Sequence, residues 1–261
     1  MALCAEDLKQ WVKEGKVYSC ERQECNKLLQ LQKEQQEKDP EKKNFPAPLP
    51  WQGNARENID LIFLGGNPSV VGSWNEPLRD WDFERRFEEY FNYYQHREES
   101  EIQGGKTLDY WNDCEGIARS ILGKVARNLA GNLQMANDRV RWKDYILMEV
   151  IHCFFNEEKD LIKHYNPIAK LCSTEYTVPI IDMLRPKGLV IMGKKAHDCF
   201  IRLTDRPADK LSLYKTDESV KVKGRVIPAF RIHHPSARRW GYWVPPTDPL
   251  FRQFGERLNC N

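Results

Sequence analysis

The sequence predicts a three-layer α/β/α fold around a central, mainly parallel four-stranded sheet. Three observations carry this: short, nearly continuous apolar runs, helix-like stretches between them, and turn-forming residues at the end of each run. The runs are Leu61 to Leu64, Tyr145 to Ile151, Gly188 to Met192 and Val226 to Ile232. The first three lack polar alternation, as strands covered on both faces should. DCEGIARSILGKVARNLAGNL and TVPIIDMLRPK read as helices between them.

In sheets of this kind ligands bind at the carboxyl ends of the strands. The segments to inspect are therefore Gly65-Gly66-Asn67-Pro68-Ser69, His152-Cys153-Phe154, Gly193-Lys194-Lys195-Ala196-His197 and His233-His234-Pro235-Ser236-Ala237-Arg238.

The 261 residues suffice for a sizeable core and divide by composition into an extension, 1–50, and an α/β domain, 51–261. The extension is polar and helix-favouring from Glu6 to Glu37, with Leu8, Trp11, Val12, Leu28, Leu29 and Leu31 at roughly helical spacing. Pro40, Pro46, Pro48 and Pro50 then break regular structure and mark an extended connector. Lys and Arg number 40 against 38 Asp and Glu, so binding to a polyanion needs a local basic patch. No apolar run of membrane-spanning length occurs, and Glu6 interrupts the start before a secretory core could form. The expectation is an intracellular, monomeric protein without a membrane partner. In a reducing compartment its eight cysteines are buried thiols or metal ligands rather than disulfides.

GGNPS after the first strand resembles the G-x-N-P-G motif of mismatch-specific and single-strand-selective uracil glycosylases, and HHPSARR after the last is similar to the second motif, H-P-S, of the uracil-DNA glycosylase superfamily. Between them YILMEVIHCFF, Cys172 and LRPKGLVIMGKKA resemble the iron-sulfur uracil glycosylases. The pieces keep their order and strand context over roughly residues 58 to 240.

This resemblance implies a hydrolase that flips a deaminated or modified base out of DNA and cleaves its N-glycosidic bond, with no nucleotide cofactor. Asn67 falls where the family positions the attacking water, and His234 where it donates a hydrogen bond to the departing base. Gly66, Phe83 and Glu149 fall at the base pocket; Phe83 is one of three aromatics, with Trp74 and Trp81, able to stack on the base. Ser69, Lys194, Lys195, Ser236, Arg238, Arg239 and Trp240 are the candidates for phosphate contact and for wedging into the vacated stack. Each also has an ordinary reading: Asn67 as a turn cap, His234 as a strand-end histidine, the basic residues as a solvated turn, the aromatics as core.

Two departures from the family matter. Glu149 stands where uracil-specific relatives carry Asn, and an ionised carboxylate would repel O4 of uracil. It is protonated by burial, or it accepts from an amino-bearing or otherwise modified base, or it lies outside the pocket. Ser69 replaces the Gly expected after Pro68.

Cys153 and Cys172 sit where iron-sulfur relatives place two ligands, and Cys20 with Cys25, or Cys4 with either, could complete a 4Fe-4S set, whose role would be structural. The alternative is small buried hydrophobes. Glu149 also motivates a second functional reading, a non-catalytic DNA-binding or damaged-base-sensing module on the same fold. A third, a nucleotide or sugar-phosphate binder, lacks any glycine-rich phosphate loop.

Overall fold

The computed structural model describes residues 5–14, 51, 57–66, 84, 106–123, 125–127, 133–135, 145–150, 168–200, 211–235, 241, 244–246 and 248–259. The apolar runs form a mostly parallel sheet. Its strands are β1 (Leu61–Gly65), β4 (Tyr145–Glu149), β5 (Gly188–Met192), β6 (Ser219–Val222) and β7 (Arg225–Ile232), in the order β4-β1-β5-β7-β6. The first four are mutually parallel, and β6 joins β7 antiparallel.

The sheet thus has five strands, where the apolar runs predict four. The added strand, Ser219-Val220-Lys221-Val222, alternates polar and apolar, so only Val220 and Val222 are buried and no continuous apolar run announces it. It turns into β7 through Lys223 and Gly224, whose positive φ values of 45° and 82° suit a two-residue hairpin loop. Pro228 lies just before the part of β7 that pairs with β5, so its missing N–H breaks no bond of that ladder.

Side-chain parity divides the core in two. Ile62, Leu64, Ile146, Met148, Leu189, Ile191 and Ala229 face one way, against a helical segment at 168–172, a π-helical turn at Ser173–Thr177, helix α3 (Val178–Leu184) and helix α4 (Gly193–Phe200). Leu61, Phe63, Tyr145, Leu147, Val190, Met192, Phe230 and Ile232 face the other way, against α2 (Lys106–Ile121) and α5 (Pro249–Asn259). Helices on both faces of a twisted parallel sheet bury its strands fully, which is why β1, β4 and β5 tolerate no polar alternation until Glu149.

The second face is closed by aromatics and by a close helix contact. Phe230 stacks on Phe254 at 5.2 Å between ring centres and meets Phe251 edge-on at 5.6 Å. A Cβ at Gly255 would collide with the Ile121 carbonyl, so α5 approaches α2 at a distance only glycine permits.

The helix expected across DCEGIARSILGKVARNLAGNL ends at Ile121. Gly123, at φ 67°, turns the chain, and Val125–Arg127 (β2) pairs antiparallel with Leu133–Met135 (β3) in a separate ribbon. The amphipathic pattern of α2 runs on into VAR by coincidence of spacing, and the positive φ at glycine overrides it. In the extension, α1 (Ala5–Glu14) is a helix as expected, with Trp11 against the first core face and Lys9 and Lys13 paired to Glu84. Leu28, Leu29, Leu31 and the proline-rich connector lie outside the described residues. Among the described residues, no helix is long and apolar enough to cross a membrane.

Candidate functional site at the strand carboxyl ends

Register aligns the strand ends. Gly65 pairs with Glu149 and Met192 with Ile232, while Leu64 pairs with Ile191, which brings Gly65 level with Met192. Glu149, Gly65, Met192 and Ile232 therefore form one row on the α2/α5 side of the sheet. The row spans three interstrand spacings, about 14 Å between its outer Cα atoms. His234 follows Ile232 by two residues, at the exit from β7.

Glu149 closes the row at β4. Its side chain leans over β1: a Cβ built at Gly65 would fall on the carboxyl group, 2.7 Å from Cδ and Oε1 and closer still to Oε2. Gly65 is thus the seat of this carboxyl, and any side chain there would evict it. Glu149 is only 9 % exposed, and its Oε2 has no hydrogen-bond partner among the described residues. Loss of hydration pushes its pKa up to about 8, which favours the protonated carboxyl at neutral pH. Of the three readings open to Glu149, the first, protonation by burial, is the one this environment supports.

The backbone under Glu149 is fixed from the opposite face. The carbonyls of Glu149 and Val150 receive the Thr177 hydroxyl at 3.5 and 3.4 Å, and the Val150 carbonyl also receives Ser173 at 3.3 Å. Those hydroxyls come from the π-helical turn, where the wider turn lets two side chains reach the end of the strand. The Val150 N–H donates to the Gly65 carbonyl at 2.9 Å, tying β4 to β1 as the chain leaves the sheet.

At the other end of the row, His234 stands against Gly193, the first residue of α4. A Cβ at Gly193 would meet the His234 Cβ at 3.1 Å, and Gly193 has φ 83°, so both space and conformation call for glycine. Desolvation of the imidazole, with Lys195 nearby, pushes the His234 pKa down to about 4. The neutral ring then offers one N–H donor at pH 7. His233 faces away, its ring 5.7 Å from that of Tyr214 and its N–H donating to the Tyr214 hydroxyl at 3.4 Å.

Glu149 and His234, with Gly66 half-buried at the bend after β1, are the predicted site residues gathered at this edge. Lys194 and Lys195 stand beside them in the first turn of α4, Lys194 exposed and paired with Asp198. Asn67, Ser69, Phe83, Ser236, Arg238, Arg239 and Trp240 lie outside the described residues, as do Cys20, Cys25 and Cys153. Cys172, the remaining member of the proposed iron set, is buried among Ile168, Ala169 and Tyr176 on the first face. One thiol is no ligand set, and among the described residues no group of three metal-ligating side chains occurs.

The strand-end segments of the sequence include Gly65 and Gly193 without giving either a role, and nothing in the sequence singles out Ser173 and Thr177. The Gly65-Gly66 doublet was the available signal, since a glycine ending a strand marks a close approach. The two hydroxyls gave none. Their role depends on a π-helical turn that sequence spacing does not encode.

The edge carries a buried acid at one end and a neutral imidazole at the other, groups able to hydrogen-bond an uncharged polar ligand. Compared with family models and with curated proteins, the chain matches none.

Proposed function

We propose that the chain is a monofunctional DNA glycosylase that hydrolyses the N-glycosidic bond of a flipped deaminated or modified base. The observation that carries this is the placement of Glu149, seated over Gly65, and His234, packed against Gly193, at the two ends of one strand-end row, where burial shifts the first upward and the second downward in pKa and favours the neutral form of each. Titratable groups whose surroundings drive their pKa values apart are candidates for acid and base roles in enzymes.

In this reading the bond between C1′ and the base breaks first, and its electron pair leaves with the base. His234 donates its N–H to the resulting anion in a dry site, where such a bond counts for more than in water. A neutral Glu149 does not oppose that anion, as a carboxylate would. Asn67 holds the water that adds its oxygen to C1′, and the water's remaining proton neutralises the base. The residues Ser69, Lys194, Lys195, Ser236, Arg238, Arg239 and Trp240 serve the DNA backbone and the vacated stack, and Phe83 the base face. A structural 4Fe-4S cluster on Cys20, Cys25, Cys153 and Cys172 belongs to the same proposal.

The test is single-turnover cleavage of oligonucleotides carrying uracil, hypoxanthine, xanthine or modified pyrimidines. The expected result is abasic product from at least one, lost in His234→Ala and Asn67→Ala. Unchanged product in both variants, or DNA binding without product on every base, overturns the catalytic reading; the second result leaves a base-sensing module.

A further inference from the structure

The buried carboxyl of Glu149 has a chemistry that an amide in its place would lack. Its surroundings hold it uncharged. Among the described side chains of the helices on this face, Glu115 and Arg119 of α2 are bound to each other at 2.7 and 2.8 Å, Arg257 of α5 is bound to carbonyls at Thr216 and Glu218, and Arg252 and Glu256 of α5 are exposed. Lys195 and His234 stand at the far end of the row, and Lys195 acts on His234. Desolvation is the cause of the Glu149 shift, and among the described residues no charged neighbour contributes to it.

A protonated carboxyl carries an O–H donor beside a C=O acceptor. A base edge with a carbonyl next to a ring N–H carries the complementary pair. Gly65, without a Cβ, leaves the carboxyl room over the end of β1, and among the described residues Oε2 has no hydrogen-bond partner. We propose, building on the base-excision reading, that Glu149 reads the extruded base as an un-ionised carboxylic acid, donating to the base carbonyl and accepting from the adjacent ring N–H. The substrates are then lactam-type bases such as uracil and hypoxanthine. Once the carboxyl ionises it has acceptors only, so alkaline pH closes the pocket to these bases.

Glu149→Gln keeps one donor and one acceptor but cannot ionise. Two readouts are compared between wild type and this variant at pH 7 and pH 9: the single-turnover rate on uracil and hypoxanthine oligonucleotides, and the affinity for a duplex with 2′-fluorinated deoxyuridine, which resists cleavage. A group titrating near pH 8 goes from mostly neutral to mostly ionised over this interval. The wild type is expected to lose about tenfold in rate and affinity beyond any loss in Glu149→Gln. Ionisation of the base itself is common to both proteins and cancels. Cleavage with parallel pH profiles overturns the role of Glu149 and leaves the glycosylase standing. No cleavage, but uracil-selective binding that weakens at pH 9 only in wild type, supports the role and removes the catalytic reading. Absence of cleavage together with pH-independent or unselective binding overturns both.

Discussion

Replacing Glu149 with Gln should stabilise the protein increasingly as pH rises, in contrast to most carboxylates. The folded state holds the Glu149 proton up to about pH 8, whereas the unfolded chain releases it near 4.5. Between those values the folded state binds more protons, so ionisation favours unfolding and stability falls with rising pH. From the two pKa values the cost is under about 1 kcal/mol at pH 5, about 3 kcal/mol at pH 7 and about 5 kcal/mol at pH 9. Glu149→Gln removes this pH-dependent part. A constant difference between the two buried side chains remains and cancels when pH values are compared. The assay is urea unfolding of both proteins at pH 5, 7 and 9. The difference in unfolding free energy should move by about 4 kcal/mol in favour of the variant from pH 5 to pH 9. A difference that stays within about 1 kcal/mol would refute the reasoning, because it would mean Glu149 is hydrated or paired.

Four further outcomes follow from the same geometry. Gly65→Ala should displace the Glu149 carboxyl, measured as loss of selectivity for uracil over thymine in the cleavage or binding assays. His234→Gln should remove about 3 kcal/mol of acid sensitivity between pH 7 and pH 4, because an imidazole with its folded pKa near 4 destabilises the fold as pH falls below its unfolded value of 6.5; unfolding at the two pH values measures it. Gly255→Ala should lower stability by at least about 2 kcal/mol, since its Cβ would overlap the Ile121 carbonyl and force α5 off α2; the denaturation midpoint reports it. If Cys172 shares a cluster with Cys20, Cys25 and Cys153, anaerobically purified protein should absorb near about 400 nm and lose that band in Cys172→Ala; iron-free protein of unchanged stability would assign Cys172 to the apolar core alone.

The sequence by itself determined the sheet and the edge at which to look. Continuous apolar runs at Leu61, Tyr145 and Gly188 can be buried only by helices on both faces, so the parallel strands and their order along the chain were legible. His234 was legible too, because a polar residue directly after such a strand must stand at its carboxyl end. What sequence left open was set by packing between distant segments. The strand Ser219–Val222 is defined by its partner β7, since alternation in four residues is too short a signal without it. The helix through Cys114 stops short of its amphipathic pattern because local periodicity does not report the positive φ at Gly123. Above all, the charge of Glu149 was undecidable from sequence. A carboxyl is an acid or a carboxylate according to the water and charges within a few ångströms, and those were fixed only when Gly65 was brought beside Glu149 and the helices closed over that face.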